Sequence, residues 1–408
     1  MLAALEDGVK GGKWFSLIDK VASEQNLRRA YAKVKANRGS PGVDHQTVEM
    51  FGARLDENLK WLREQLLTGA YRPRPVRRVW IPKPGKRKDK RPLGVPTVMD
   101  RVAQTALRNV IEPIFEREFA EQSYGFRPGR GCKDALRRVD ELLKQGYCWV
   151  VDADLKSYFD MISHKRLLDL LGERISDGRI LALVERFLTQ SVMEQMKGWI
   201  PEQGTPQGAV VSPLLSNVYL NPLDYQMATS GIEMVRYADD FVILCRTEAE
   251  AHRAMEQVRE WTIDAELTLH PEKTVIVDAT QPGGFDFLGY HFERGYRWPR
   301  KKSLKKLKDT IRAKTKRTNG QSLEVIIKNV NRTLRGWFEY FKHSHKTAFP
   351  RLDKWVRMRL RSILRKRRRG RGRGRGRDHQ RWPNTYFAEQ GLYSLAAAHA
   401  EASQSAQR

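Results

Sequence analysis

Two adjacent carboxylates, Asp239 and Asp240, lie between two short apolar segments, residues 234–236 and 241–245. Both segments are rich in aliphatic, β-branched or aromatic residues, which is typical of short strands. The pattern predicts a hairpin with the tetrapeptide YADD (237–240) at its tip. Neighbouring carboxylates repel each other unless a cation neutralises them, and hard divalent cations prefer carboxylate oxygen. An ordinary Asp-containing turn is the alternative interpretation.

A second set of carboxylates follows another predicted strand, residues 147–154. Asp152 and Asp154 lie on one face of this strand because side chains alternate along it, and Asp160 follows in the next turn. A carboxylate at the strand end could face the hairpin and share its cations. Two cations about 4 Å apart can activate a hydroxyl nucleophile and stabilise a pyrophosphate leaving group. The alternation does not choose among these three aspartates.

The elements that must position these groups are mixed. Apolar spacing and turn residues predict helices and strands without regular alternation, which favours an α+β domain over a doubly wound sheet. Helices are predicted within 23–70, broken at 39–42, and at 100–118, 164–171, 180–189, 214–223 and 248–266, and strands at 76–81, 274–278 and 285–290.

The charge of the chain is concentrated in one segment. The net charge is +27, and residues 297–381 alone contain 31 Lys and Arg but only 5 Asp and Glu. Such an excess predicts binding to a polyanion, and nucleic acid is the preferred partner. Apolar spacing in this segment predicts three helices of a small bundle, at 304–311, 325–341 and 352–364. The Arg-Gly tract at 369–377 is expected to be flexible.

Composition argues against several other classes of protein. Three cysteines without CxxC spacing make a disulfide framework or a zinc module unexpected and fit a reducing cytoplasm. No apolar run approaches the roughly 20 residues needed to span a bilayer, so no membrane association is expected. The first 20 residues lack the pattern of a secretory signal.

Ten motifs in a fixed order resemble those of the group II intron-encoded reverse transcriptases and maturases. Their order makes the match specific, although each alone would be weak. They are GSPGVD at 39–44, IPKP at 81–84, RPLGVP at 91–96, SYGFRPGR at 123–130, DLKSYFD at 154–160, TPQG at 205–208 with SPL at 212–214, YADD at 237–240, EKT at 272–274, FLGY at 287–290 and NRTLRGWFEYF at 331–341.

The resemblance implies a right-hand polymerase fold with fingers and palm, followed by an all-helical basic thumb. Residues 1–75 would form an N-terminal extension and the start of the fingers, and 76–296 the fingers and palm. Residues 297–368 would form the maturase thumb, and 369–408 a basic tail that binds DNA. The region after Arg381 offers no paired cysteines and histidines, so the metal-dependent endonuclease of many relatives is not expected.

The resemblance also implies roles for individual residues. Asp154, Asp239 and Asp240 would bind two Mg²⁺ ions, beside the backbone carbonyl of Leu155, and Phe159 would exclude a 2′-hydroxyl from the deoxynucleotide site. The further residues implied are Lys83, Arg91, Gln207 and Lys273 for nucleotide binding, and Phe287, Leu288, Gly289, Arg332 and Arg335 for the primer or RNA.

Simpler interpretations remain open for most of these residues. Phe159 and Phe287 could be core residues, Gln207 could belong to a plain turn, and Lys273 could form a structural ion pair. Solvated surface charge would explain the cations near Lys83 equally well.

The implied function is RNA-directed DNA synthesis. The enzyme would use deoxynucleoside triphosphates to copy group II intron RNA from a target DNA primer, and would assist splicing of that intron. The expected partners are the intron RNA and the DNA primer strand, in a bacterial cytoplasm close to the nucleoid, without zinc or a membrane. The alternative is a splicing cofactor in which polymerase activity is dispensable.

Overall fold

The chain forms two compact units. The computed structural model describes residues 12–82, 90–194, 197–374 and 376–405. The first unit ends at Ile276 and the second begins at Val277, so the division falls within one short strand. The two units are described separately below.

The first unit contains helices and two four-stranded sheets. Its helices are α1 Ile18–Val21, α2 Glu24–Ala36, α3 Val48–Ala53, α4 Leu55–Leu67, α5 Val98–Glu116, α6 Cys132–Lys144, α7 Tyr158–Met161, α8 His164–Gly172, α9 Gly178–Leu188, α10 Ser212–Thr229 and α11 Glu248–Asp264. Its strands are β1 Val76–Pro82, β2 Lys90–Val95, β3 Trp149–Asp154, β4 Val192–Glu194, β5 Lys197–Trp199, β6 Glu233–Tyr237 and β7 Asp240–Cys245, together with the start of β8 Val275–Asp278.

The two sheets differ in their connections. One has the strand order β2-β1-β4-β5, in which β1 and β4 run parallel and the other pairs run antiparallel. The other has the order β6-β7-β3-β8, in which β7 lies between β6 and β3 and is antiparallel to both. This mixture confirms the α+β architecture predicted from the sequence.

Helical periodicity identified the inner face of α5 correctly. All five residues predicted to point inward are buried: Val102, Leu107, Val110, Ile111 and Ile114. They belong to one continuous apolar core that extends through the helices and the β6-β7-β3-β8 sheet. The core fixes the position of β3 and β7, the strands that end at the predicted carboxylates.

The second unit combines a small sheet with helices. Its antiparallel sheet has the order β11-β10-β9, with β9 Phe285–Phe287, β10 Tyr290–Glu293 and β11 Tyr296–Pro299. Its helices are α12 Lys301–Lys314, α13 Leu323–Phe341, α14 Ala348–Arg367, α15 Arg377–Arg381, α16 Asn384–Glu389 and α17 Leu395–Ser405. The three predicted bundle helices correspond to α12, α13 and α14.

The first part of the Arg-Gly tract packs on α14, whereas its composition predicted a flexible segment. Its residues 369–374 follow α14 closely: the backbone N–H of Gly370 donates to the carbonyl of Arg365 (2.9 Å), and Nε of Arg365 donates to the carbonyl of Arg371 (2.8 Å). Arg365 also pairs with Asp378 beyond the tract. Glycines allow this close return because they carry no side chain, a packing that composition alone does not reveal.

The segment after the tract contributes to the core of the second unit. Trp382, Phe387 and Leu395 are buried in the same apolar cluster as α12, α13 and α14. The carboxylate of Asp353 caps α17 by accepting hydrogen bonds from the backbone N–H groups at its start, including that of Leu395 (3.0 Å). Residues 382–405 are therefore an integral part of this unit.

Within the described part of the chain, no helix is both long and apolar enough to cross a membrane.

Phe387→Ala should destabilise the second unit by about 3–5 kcal/mol, because it removes a fully buried aromatic ring and leaves a cavity. Equilibrium denaturation of the whole chain would measure the change. Thr385→Ala, at an exposed position of the same helix, should stay within about 0.5 kcal/mol. Equal stability of the two variants would contradict a structural role for this segment.

Candidate active site

The YADD tetrapeptide forms the predicted hairpin. Tyr237 at the end of β6 pairs with Asp240 at the start of β7, which leaves Ala238 and Asp239 as a two-residue loop. Ala238 has a φ of +61°, a left-handed conformation that normally favours glycine. Holding a non-glycine residue there costs on the order of 1–3 kcal/mol, and such strain persists only where surrounding contacts enforce it.

The register of the sheet selects one of the three candidate aspartates. Asp154, the last residue of β3, lies directly opposite Asp240 on β7. Directly opposed residues of antiparallel strands have Cβ atoms about 4.5–5.5 Å apart. Asp152 pairs with Val242, two residue pairs further from the tip, and Asp160 lies on α7, outside the sheet. The structure therefore brings Asp154 to the hairpin carboxylates.

The electrostatics of the site favour a cation. Burial raises the pKa of Asp239, and the nearby charge of Asp154 raises it further, against the lowering effects of its own backbone N–H and of Arg236. The ammonium of Lys273 pairs with Oδ2 of Asp154. Lys273 is thus placed as predicted, next to the carboxylates, and the ion pair considered for it is present.

The donor chemistry of these groups fits a hard divalent ion, because all three side chains offer carboxylate oxygen. Among the residues that the structure describes, however, no three His, Cys, Asp or Glu side chains are arranged as a ready-made metal site. The ammonium of Lys273 places a positive charge beside Asp154.

The loop that contains Gln207 packs against Phe159. The backbone N–H of Thr205 donates to the carbonyl of Phe159 (2.7 Å), and the carbonyl of Gln207 accepts from the N–H of Gly94 on β2 (2.7 Å). A Cβ on Gly204 would lie 2.8 Å from the carbonyl oxygen of Phe159, so only glycine allows this approach. The loop is therefore more than a plain turn, since it joins Phe159 to β2.

Phe159 itself is half-buried. Its ring packs on the core of the first unit and meets the ring of Tyr158 edge-on at 5.3 Å between centroids. Leu155, directly after β3, is buried. Arg91 is exposed on β2, whereas Lys83 lies outside the described residues.

The remaining predicted residues belong to the second unit. Phe287 is fully buried, as a core residue would be. Leu288 and Gly289 form the turn between β9 and β10, with φ values of +45° and +88°, and the carbonyl of Leu288 accepts from the hydroxyl of Tyr340 (2.6 Å).

Arg332 and Arg335 are exposed on α13. They lie one helical turn apart, so they occupy the same face of the helix. The guanidinium of Arg335 lies 5.0 Å from the ring centre of Tyr393, a cation–π contact.

The sequence interpretation missed a buried polar cluster beneath the hairpin. Arg236, on β6, was read only as part of a strand, yet its side chain is fully buried and pairs with the fully buried Asp224 of α10. Its signal was a charged residue directly after the apolar residues Met234 and Val235. Alternation along a strand cannot distinguish such a residue from an exposed one.

The SYGFRPGR motif explains part of this cluster. The backbone of residues 122–124 pairs with that of Arg236. The N–H of Tyr124 donates to the carbonyl of Arg236 (2.8 Å), and the N–H of Arg236 donates to the carbonyl of Gln122 (2.9 Å). Gly125 follows so close to the hairpin that a Cβ would lie 2.3 Å from the nitrogen of Ala238. The motif therefore supports the hairpin from one side.

Comparison with known families gives two matches in the order of the two units. Residues 81–292 match the family described as "Reverse transcriptase (RNA-dependent DNA polymerase)". Residues 304–382 match "Group II intron, maturase-specific domain". The first match covers slightly more than half of the chain.

Two curated relatives share substantial parts of the sequence, and one of them is named as a group II intron-encoded protein. The chain is 35% identical over 296 residues to Protein YkfC of Escherichia coli (strain K12), covering 62% of this chain and 76% of that protein. It is 38% identical over 197 residues to the Group II intron-encoded protein LtrA of Lactococcus lactis subsp. cremoris, covering 48% of this chain and 32% of that protein. The chain therefore spans three quarters of the first relative but only a third of the second.

Solved structures give weaker likenesses. A chain of telomerase from Candida albicans, in complex with a fragment of telomeric RNA, matches with a TM-score of 0.45 and 14% identity, covering 77% of this chain and 63% of that chain. A chain of a partial Cas6-RT-Cas1–Cas2 complex matches with a TM-score of 0.39 and 24% identity, covering 62% and 43%.

Gly125→Ala should lower the free energy of unfolding by about 1–3 kcal/mol, because the added methyl group collides with the backbone of Ala238. Gly172→Ala is the matched control, since nothing lies within 4 Å of a Cβ there and the position is helical. That control should be neutral or slightly stabilising. Denaturation curves of both variants would test this, and a harmless Gly125→Ala would refute the close approach.

Proposed function

Since the chain belongs to the reverse transcriptases that carry a group II intron maturase domain, and is accordingly an RNA-directed DNA polymerase, we propose that it copies intron RNA from a DNA primer. Its substrates are deoxynucleoside triphosphates, and its primer is a strand of the target DNA. We further propose that the same chain assists the splicing of that intron.

One observation carries the catalytic part of this proposal: Asp154 lies opposite Asp240 at the end of the sheet that presents Asp239. Asp154 and Asp240 lie on neighbouring strands, and Asp239 precedes Asp240 in the loop, so these like charges are held close together although they repel. In a reverse transcriptase, such a set is suited to two Mg²⁺ ions, with the carbonyl of Leu155 beside Asp154.

When bound, the ions supply activation of the primer hydroxyl and neutralise charge on the pyrophosphate leaving group. Asp154, Asp239 and Asp240 would hold them. The ammonium of Lys273 already contacts Asp154, so it is close enough to the carboxylates to donate a proton to the leaving group.

The neighbouring loop is proposed to select the nucleotide. Phe159 and Gln207 belong to segments that are joined by backbone hydrogen bonds, and the ring of Phe159 is half-exposed. We propose that this ring packs beneath the sugar and leaves no room for a 2′-hydroxyl, while Gln207 contacts the incoming nucleotide. Arg91, with Lys83, is assigned to the triphosphate because phosphate binds cations strongly.

The second unit is proposed to hold the nucleic acid. It contains most of the excess positive charge, and Arg332 and Arg335 present two exposed cations on one helix face. The turn at Leu288 and Gly289 would support the primer end through its backbone, with buried Phe287 beneath it. Intron RNA and target DNA are the proposed partners, and the bacterial cytoplasm near the nucleoid is the proposed location.

In these terms, residues 1–75 and 76–296 correspond to an N-terminal extension with fingers and palm, and 297–368 to the thumb. Residues 369–408 are proposed to bind DNA as well as to complete the core. A splicing role without DNA synthesis is the second candidate, favoured by the maturase-specific match at residues 304–382. The presence of all three aspartates favours both activities in one chain.

Asp239→Ala and Asp154→Asn should each reduce Mg²⁺-dependent primer extension to background, because each removes a metal-binding carboxylate. Binding of intron RNA, measured by filter retention, should change little. Asp160→Asn serves as the control, since Asp160 lies outside the sheet, and it should keep most of the activity. DNA synthesis by Asp239→Ala at the wild-type rate would refute the assignment.

Phe159→Ala should relax the discrimination against ribonucleotides by about tenfold or more, because it opens space beside the sugar. Single-nucleotide incorporation kinetics with matched dNTP and rNTP would measure this ratio. Tyr225→Ala, which removes an exposed ring elsewhere on the first unit, should leave the ratio unchanged. An unchanged ratio in Phe159→Ala would favour simple core packing.

A further inference from the structure

The geometry points to Arg236 as a positioning residue for the proposed polymerase reaction: its buried guanidinium fixes the YADD loop so that Asp239 is presented in one orientation. This inference rests on the proposed function. It concerns a residue that touches neither substrate nor metal in the proposed mechanism and acts through the backbone of its own hairpin.

The guanidinium of Arg236 uses all five of its N–H donors, the full number that arginine offers. Nε and Nη2 donate to the two oxygens of Asp224, with Nε at 2.7 Å. Nη2 also donates to Oγ of Ser123 (2.8 Å). Nη1 donates to Oδ1 of Asn217 (3.0 Å) and to the carbonyl of Ala238 (2.9 Å). A side chain bound in this way has a single position.

The bond to Ala238 is the one that concerns catalysis. Ala238 occupies the left-handed position of the two-residue loop without being glycine, so its conformation must be enforced by contacts. The bond from Arg236 holds the carbonyl that precedes Asp239. Rotation of this peptide group would turn the backbone of Asp239 and move its carboxylate away from Asp154.

The loop is confined from a second direction by the glycine motif. Gly125 leaves no room for Ala238 to move toward it. The carbonyl of Gly125 accepts a hydrogen bond from Nδ2 of Asn217 (2.8 Å). Asn217 thus joins the guanidinium of Arg236 to the segment that packs on the loop. The loop therefore lies between the guanidinium of Arg236 and the backbone of Gly125.

The charge of the guanidinium is balanced within the cluster. Arg236 and Asp224 are both fully buried and form a bidentate pair, so the pair adds little net charge beneath the carboxylates. What the loop receives is a rigid hydrogen-bond donor. Loss of this donor should therefore affect the geometry of Asp239 more than the overall stability, provided that no buried charge is left unpaired.

The decisive variant is the double substitution Asp224→Leu/Arg236→Met, which removes both charges and the donor to Ala238 together. Replacing a buried ion pair by apolar residues is often neutral for stability. We expect kcat for primer extension to fall about 10- to 100-fold, as for other small displacements of catalytic groups. The Mg²⁺ concentration for half-maximal activity should rise several-fold, whereas binding of the primer–template should be retained.

Two comparisons separate positioning from general destabilisation. Arg236→Lys keeps the charge of the pair but has only three donors, so its kcat and Mg²⁺ requirement should lie between those of the wild type and the double variant. Glu112→Leu/Arg108→Met removes a half-buried ion pair within α5, outside the hairpin, and should leave the Mg²⁺ requirement unchanged.

The wild-type chain and Asp239→Ala are assayed in parallel. These two controls show whether a failed expectation concerns Arg236 or the proposed function itself. If the wild type extends primers and Asp239→Ala does not, the proposed function stands and the variants report on Arg236 alone. A folded double variant with wild-type kcat and Mg²⁺ dependence would overturn the inference. If the double variant does not fold, wild-type values in Arg236→Lys would overturn it instead.

Discussion

Mutual repulsion among carboxylates is the constraint on which the candidate active site depends. Asp154, Asp239 and Asp240 carry like charges, and flexible segments would separate them. Backbone pairing prevents this, because the register of β3 with β7 sets Asp154 opposite Asp240 and the hairpin fixes Asp239 beside them. Packing of the apolar core behind these strands offsets the destabilising repulsion within the site.

Two basic side chains support this arrangement in different ways. Lys273 pairs directly with Asp154 at the surface, where water and salt weaken the interaction. Arg236 lies beneath the loop, is fully buried, and is matched by its own carboxylate partner, Asp224. The first pair is therefore weak. The second is part of the framework and stays in place.

The sequence predicted correctly those features that depend on residues close together in the chain. The hairpin at YADD, the buried face of α5 and the basic helices were all predicted from spacing and composition. Pairing between distant strands was not accessible in this way. Strand alternation left Asp152, Asp154 and Asp160 equivalent, and only the family resemblance favoured Asp154, the residue that lies opposite Asp240.

Buried polar groups were the other limit. Arg236, Asp224 and Asn217 are separated along the chain, and each residue alone resembles a surface residue. Composition was similarly misleading for the Arg-Gly tract, because close backbone packing on α14 depends on the absence of side chains. The following helices α16 and α17 complete a core whose other members are up to about ninety residues away in sequence.

The segregation of charge has a consequence for kinetics. The first 296 residues are close to neutral, whereas residues 297–381 are strongly basic. Long-range attraction to a polyanion therefore acts on one unit of the molecule, which favours encounters in which that unit meets the nucleic acid first. Such attraction is screened within about 10 Å at 0.1 M salt. Ionic strength should accordingly govern how quickly RNA is captured far more than how quickly a captured strand is copied.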